Sequence, residues 1–173
     1  MENQKPSPGK FGVNYGLILG AIMILISVIM YATGMLLEGT QWPQYLYYII
    51  FPVIIFYAIG QFKKTNANSL SFSEALKTGM VIAVISALVY AVYGLIFNYI
   101  IDPEFMDEMM KLAEEKIAED PNMSVEIKEK SLEMAKTFSN PLLGSAMWLA
   151  LSAFFGLIWS AIAGLVMKTS SQD

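Results

Sequence analysis

Four long stretches of this chain carry no charge at all. They are residues 11–37, 39–62, 78–101 and 137–167, of 27, 24, 24 and 31 residues. All 26 charged side chains, 11 lysines and 15 acids, fall in five short blocks around them: 1–10, residue 38, 63–77, 102–136 and 168–173. A hydrocarbon core about 30 Å thick needs roughly 20 apolar residues at a 1.5 Å rise each. Every stretch clears that length. The pattern predicts four transmembrane helices, at 13–37, 44–62, 78–101 and 141–167. The first holds 12 Leu, Ile or Val residues between Val13 and Leu37. At about −0.3 to −0.6 kcal/mol each, these favour insertion by roughly 4–7 kcal/mol.

The punctuation between stretches agrees. Gly39-Thr40-Gln41-Trp42-Pro43 reads as a tight turn, and Pro52 is expected to kink the second helix. Helix two lacks a run of small residues and is placed at the edge of the packing. Ser71-Phe72-Ser73-Glu74 is a capping box, so the third helix begins near Phe72, outside the hydrocarbon, and enters it near Thr78. Asp102-Pro103 ends it. Residues 102–140 are too long for a structureless connection. Phe105, Met109, Leu112, Ala113 and Ile117 recur at helical spacing, as do Ile127, Ser131, Met134, Ala135 and Phe138. Asp120-Pro121-Asn122 separates the two runs, with Pro121 opening the second. The predicted fold is all-α: an integral membrane four-helix bundle with an extracytoplasmic αα-hairpin between helices three and four. One membrane domain covers 1–173, with tails at 1–12 and 168–173.

Composition sharpens the class. Hydrophobic residues make up 55%, mean hydropathy is +0.51, and charged residues are 15% against about 25% in soluble domains. Lys5 and Lys10 resemble the basic start of a signal peptide. The apolar run that follows is too long and ends at Glu38 without an A-x-A-like site, so a retained helix is expected. Segments 1–12, 63–77 and 168–173 hold six lysines in 33 residues; 38–43 hold none and 102–140 hold five in 39. The positive-inside rule then puts both termini in the cytoplasm and the hairpin outside. Trp42, Tyr45, Tyr47, Tyr48, Phe97, Tyr99 and Trp148 cluster where an outer aromatic belt belongs. With a sequence pI near 4.9 and no arginine, no nucleic-acid partner is expected.

Small residues recur every fourth position: Gly12/Gly16/Gly20, Gly79/Ala83/Ala87/Ala91 and Ser152/Gly156/Ser160/Gly164. In lipid, such stripes let helix axes approach closely. The candidate packing residues are Gly16, Gly20, Gly79, Ala83, Ala87, Gly156, Ser160 and Gly164. They serve packing within one chain, a homo-oligomer, or both.

Chemistry has little to stand on. No Asp, Glu, Lys or Arg lies inside a span, which weighs against proton relays and charge-coupled pumps. A neutral-solute path along Ser86, Tyr90, Asn98, Ser145 and Ser152 competes with hydroxyls bonded to their own backbone. There is no His and no Cys. Met106, Met109, Met110, Met123 and Met134 would make a thioether-only copper site, and flexible packing is the plainer reading. Asp102, Glu104, Asp107 and Glu108 lack EF-hand spacing. No catalytic motif is found, so no enzyme and no cofactor are expected. The hairpin carries five lysines against eleven acids, a poor match to anionic lipid. Its apolar stripes are expected to meet each other or a partner.

Short landmarks point to a family. Asn68–Gly79 (N-S-L-S-F-S-E-A-L-K-T-G), Tyr99–Phe105 (Y-I-I-D-P-E-F), Phe138–Pro141 (F-S-N-P) and Phe155–Ala161 (F-G-L-I-W-S-A) resemble a bacterial membrane family, domain of unknown function 4199, along nearly the whole chain. The resemblance implies an inner-membrane protein of the Bacteroidetes type and carries no activity or site. The expected role is a non-enzymatic structural or interaction protein in the lipid bilayer. Residues 104–138 would contact a second copy, or a membrane or periplasmic protein. The alternative is a small transporter or channel for a neutral solute.

Overall fold

The computed structural model describes residues 7–40 and 42–169. Residues 1–6 of the expected tail 1–12, residues 170–173 of the expected tail 168–173, and the turn position Gln41 lie outside the described residues. Helices run α1 Pro8–Ala32, α2 Trp42–Thr65, α3 Phe72–Ile96, α4 Phe105–Glu119, α5 Val125–Phe138 and α6 Pro141–Met167. A π-helical turn, Phe97–Ile101, extends α3. No strand occurs among the described residues. Four helices are long and apolar enough to cross a membrane: α1, α2 from Tyr45, α3 with its π turn, and α6. Their outward faces are apolar too: Leu25 is 61% exposed, Val53 58%, Val92 56% and Val166 72%. Surfaces like these suit lipid and would aggregate in water. The protein is an all-α, multi-pass membrane protein.

Helix ends follow local chemistry and depart from the hydropathy limits. α1 covers Pro8–Ala32, whereas hydropathy set 13–37. Pro8 fits the first turn, where its missing N–H has no helical partner anyway. Gly34, at φ +74°, takes the left-handed conformation that stops the helix, and its N–H bonds Tyr31 O at 3.0 Å. Leu36 and Leu37 therefore belong to a turn. α2 extends to Thr65, three residues beyond the expected 62, and stays continuous through Pro52. The capping box is present: the Glu74 N–H donates to Ser71 Oγ at 3.2 Å, and the Ser71 N–H to Glu74 Oε2 at 2.8 Å. At the far end, the Asp102 N–H reaches back five residues to Phe97 O at 2.8 Å. α5 begins at Val125, not at Pro121. Asp120 Oδ1 accepts from the Asn122 N–H at 2.8 Å and closes a turn there, while Ser124 caps the helix. α6 starts at Pro141 as its pattern implied, with Asn140 Oδ1 accepting from the N–H groups of Leu142 and Leu143.

α3 is the centre of the packing, with its most extensive contacts to α1 on one side and α6 on the other. α2 is not confined to an edge. It touches α1, α3 and α6, and lays Phe51, Ile55, Ala58, Ile59 and Phe62 into a core shared with Leu19, Ile82 and Ala163. The division has a physical cause. α1 and α6 each approach α3 on small residues, whereas α2 has none at the right spacing and stands off on large ones.

The two ends of the helices are tied differently. At the end holding the α2–α3 loop, Lys63 Nζ donates to Met167 O at 2.8 Å, opposing the negative C-terminus of α6. Thr169 there donates its N–H to Leu70 O at 2.9 Å and its hydroxyl to Asn68 O at 3.0 Å. At the other end the Tyr31 hydroxyl donates to Asp102 Oδ2 at 2.7 Å. The rings of Tyr31, Phe97 and Phe105 meet edge-on at 4.9–5.8 Å. α4 therefore folds back over the tips of α1 and α3. Its Lys116 rests against Gly39, and Leu112 lies beside Leu37. α5 packs along α4 and leads into α6.

Candidate functional site

Seven of the eight small residues named from the sequence, all but Ala87, lie in helix–helix seams. A Cβ built on Gly16 would sit 2.7 Å from Ile85 Cβ and one on Gly20 2.8 Å from Val89 Cβ, so both glycines bring α1 onto α3. On the opposite side of α3, Gly79 meets Ser160, Ala83 meets Gly156, and Ala75 meets Gly164. Ala83 and Ala87 are wholly buried. These seams hold the scaffold.

The polar residues considered for a solute path do not line up. Ser86 donates to Ala83 O at 3.0 Å and Asn98 to Gly94 O at 2.7 Å, each within its own helix. Ser160 likewise bonds Gly156 O. Tyr90 and Ser152 are different, because both lie beside a cleft.

That cleft, of about 370 Å³, lies in the half of the helices nearer the hairpin. α1 and α2 meet closely at the opposite end, where Phe11 packs on Phe62 at 5.6 Å and Tyr15 on Tyr57 at 6.1 Å. Towards the hairpin they leave a gap. Met23, Ile26, Ser27 and Met30 share one face of α1 and form one wall. Tyr47 and Tyr48 of α2 form the other, with Leu36 and Pro43 of the turn at the top. Tyr90 of α3 and Trp148 of α6 close the back. Met23 and Met30 are buried, while Tyr48 is 63% exposed and stands at the rim. A smaller cavity of about 210 Å³ continues past Tyr47 and Trp148 between α2 and α6, as far as Ser152 and Trp159.

The cleft combines aromatic walls with uncharged polar groups. Tyr47 and Tyr90 flank the Trp148 ring at 5.1 and 5.7 Å. The Tyr90 hydroxyl is within hydrogen-bonding reach of Ser27, and the Tyr47 hydroxyl of Ser152. The indole Nε1 of Trp148 is buried and has no hydrogen-bond partner among the described residues. A buried donor left unpaired costs about 1–3 kcal/mol. Among the described residues no Asp, Glu or Lys contributes to the walls.

Residues 14–169 match the profile of a family described as Protein of unknown function (DUF4199). The chain belongs to that family. A search of curated proteins and a search of solved structures each found no match. In this DUF4199 chain the aromatic belt expected from sequence is split. Trp42, Tyr45, Tyr48 and Tyr99 are exposed at 54–63%, whereas Phe97 is buried and Tyr47 and Trp148 turn into the cleft. Helical phase explains it: Tyr47 shares a face with buried Phe51, four residues on, Tyr45 does not, and Tyr48 stands at the rim between them. Sequence reasoning passed over Ser27, Met23 and Met30. The available signal was Ser27 itself, a polar residue in the middle of an apolar run.

The hairpin supplies a second surface. α5 has no buried residue, and Ile127, Met134 and Phe138, on one stripe, are 51%, 59% and 40% exposed. Two of its three lysines reach α4, where Lys128 Nζ donates to Ala118 O and Lys136 lies 3.9 Å from Glu114, and Lys130 pairs with Glu126 on α5 itself. The stripe therefore runs beside the α4 contact, not under it. It continues into the exposed Leu142 and Leu143 at the start of α6.

Proposed function

We propose that the protein is a non-enzymatic interaction protein of the bacterial inner membrane, with both termini in the cytoplasm and the α4–α5 hairpin outside. The lysine distribution supports that sidedness, because the Lys63, Lys64 and Lys168 end is the more basic for its length. One observation carries the interaction reading: Ile127, Met134 and Phe138 form an apolar stripe that none of the described residues covers, leading towards the apolar band of α6. The partner is another integral membrane protein with a basic outer rim. Segment 102–140 carries a net charge of −6, so a second copy of the hairpin would meet like charge, and anionic headgroups would repel it.

A conduit for a neutral solute draws less support. Below the cleft, wholly buried Leu19, Ile55, Ile59, Phe62 and Ile82 fill the space between the helices. Crosslinking from native membrane, followed by pull-down, tests the interaction reading. Replacing Ile127, Met134 and Phe138 together with Ser should leave insertion intact and remove the crosslinked partner. A partner retained by the triple variant, or captured equally after deleting 104–138, refutes it. Solute flux in proteoliposomes that is lost in Asn98→Ala would favour the conduit instead.

A further inference from the structure

The cleft has a mouth, a floor and a chemistry, and the helix packing does not need it. Its volume of about 370 Å³ falls within the roughly 300–1,000 Å³ of small-ligand sites. The mouth lies between α1 and α2, two helices whose outer faces are apolar, so a ligand would arrive from the hydrocarbon. Met23, Ile26 and Met30 offer a flexible apolar wall suited to an alkyl or prenyl chain. The back is different. Tyr47 and Tyr90 hold their rings 5.1 and 5.7 Å from that of Trp148, an aromatic lining that favours a flat group.

Donors and acceptors narrow the choice further. Tyr90 and Ser27 face each other with two O–H groups between them. One hydrogen bond uses one of those protons and leaves the other to donate. The missing element is therefore an acceptor. Among the described residues no Asp, Glu or Lys lies on the wall to balance a charge, and an unpaired charge at this depth is costly, so the acceptor is neutral.

We propose that the cleft between α1 and α2 is a lipid-accessible binding site for an uncharged amphiphile with a planar, carbonyl-bearing head and an apolar tail, the chemistry of an isoprenoid quinone. The head lies against Trp148, Tyr90 and Ser27, and the tail leaves along Met23, Ile26 and Met30. Only binding is assigned here. The site stands on the cleft alone and is independent of the hairpin surface.

The test uses the full chain in detergent micelles, with Trp42→Phe and Trp159→Phe leaving Trp148 as the single fluorophore. Decylubiquinone is the planar dicarbonyl probe. Decylbenzene keeps the tail and a flat ring without carbonyls, and dioctanoylglycerol keeps carbonyls without the flat ring. Saturable quenching by decylubiquinone, displaced at least tenfold less well by either other probe, is the expected result. Tyr90→Phe and Ser27→Ala should each weaken it about tenfold, and Ser27→Leu, which fills the cleft, should abolish saturation. Quenching that never saturates, or that is unchanged in all three variants, reports partition into the micelle and overturns the site. Equal displacement by dioctanoylglycerol overturns the planar head. Should Ser27→Leu elute as aggregate, the Ser27→Ala and Tyr90→Phe titrations decide alone.

Discussion

Moving one methyl group across the α3–α6 seam tests whether close backbone approach holds these helices together. In Gly156→Ala the new Cβ would overlap Ala83 Cβ, and neither atom can rotate away. The next atoms, Ala83 Cα at 3.8 Å and Gly79 O at 4.0 Å, are at ordinary contact distance. The whole clash is therefore one methyl against another. Overpacking of this kind costs about 1–3 kcal/mol. Helix propensity does not offset it as it would in water, because the membrane-inserted reference state is already helical. Ala83→Gly alone removes one buried methyl and should cost on the order of 0.8 kcal/mol. The double variant Gly156→Ala/Ala83→Gly has the methyl back in the seam, attached to the other helix. It should fall close to wild type, with a coupling of about 1–3 kcal/mol in its favour. Gly60→Ala is the control, since no atom lies within 4 Å of a Cβ there; its effect should stay within about 0.5 kcal/mol. Reversible SDS titration in mixed micelles, followed by tryptophan emission, reads all four, and Trp159 lies three residues from Gly156 on α6. The reasoning is refuted if Gly156→Ala matches Gly60→Ala, or if Ala83→Gly gives no rescue.

Other measurements address other parts. Ser71→Ala removes the acceptor of the Glu74 N–H and should lower stability by about 1 kcal/mol, with faster amide exchange confined to the first turn of α3; unchanged exchange there would count against the capping box. The chain has no cysteine, so single cysteines at Glu129 and Lys64 can map sidedness with an impermeant maleimide. Glu129→Cys should label in intact spheroplasts and Lys64→Cys only after lysis, and the reverse order would invert the proposed topology. Tyr31→Phe keeps the ring against Phe97 and Phe105 but loses the bond to Asp102. Amide exchange over 97–105 should rise while that in α6 stays the same, and a uniform rise would place the effect in the whole fold.

The local levels of this structure were legible in the chain because their causes are local. Charge-free length fixed the four long helices. The capping box set the start of α3, Asp102-Pro103 its end, and Asn140-Pro141 the start of α6. Residues that compete for the same task were harder to rank. Gly34 ends α1 before Leu36 and Leu37, although hydropathy continues through them, and Ser124 starts α5 where Pro121 stood ready. Small residues at fourfold spacing revealed which faces can approach closely. They did not reveal that Gly16 and Gly20 serve one side of α3 while Gly156 and Ser160 serve the other, because pairing depends on which helices become neighbours. The cleft belongs to tertiary structure entirely. Tyr47, Tyr90, Trp148 and Ser27 come from four different helices, and each alone reads as an interface aromatic or a stray hydroxyl. Only the divergence of α1 from α2 near the hairpin brings them around one space, and no spacing within any single helix encodes that divergence.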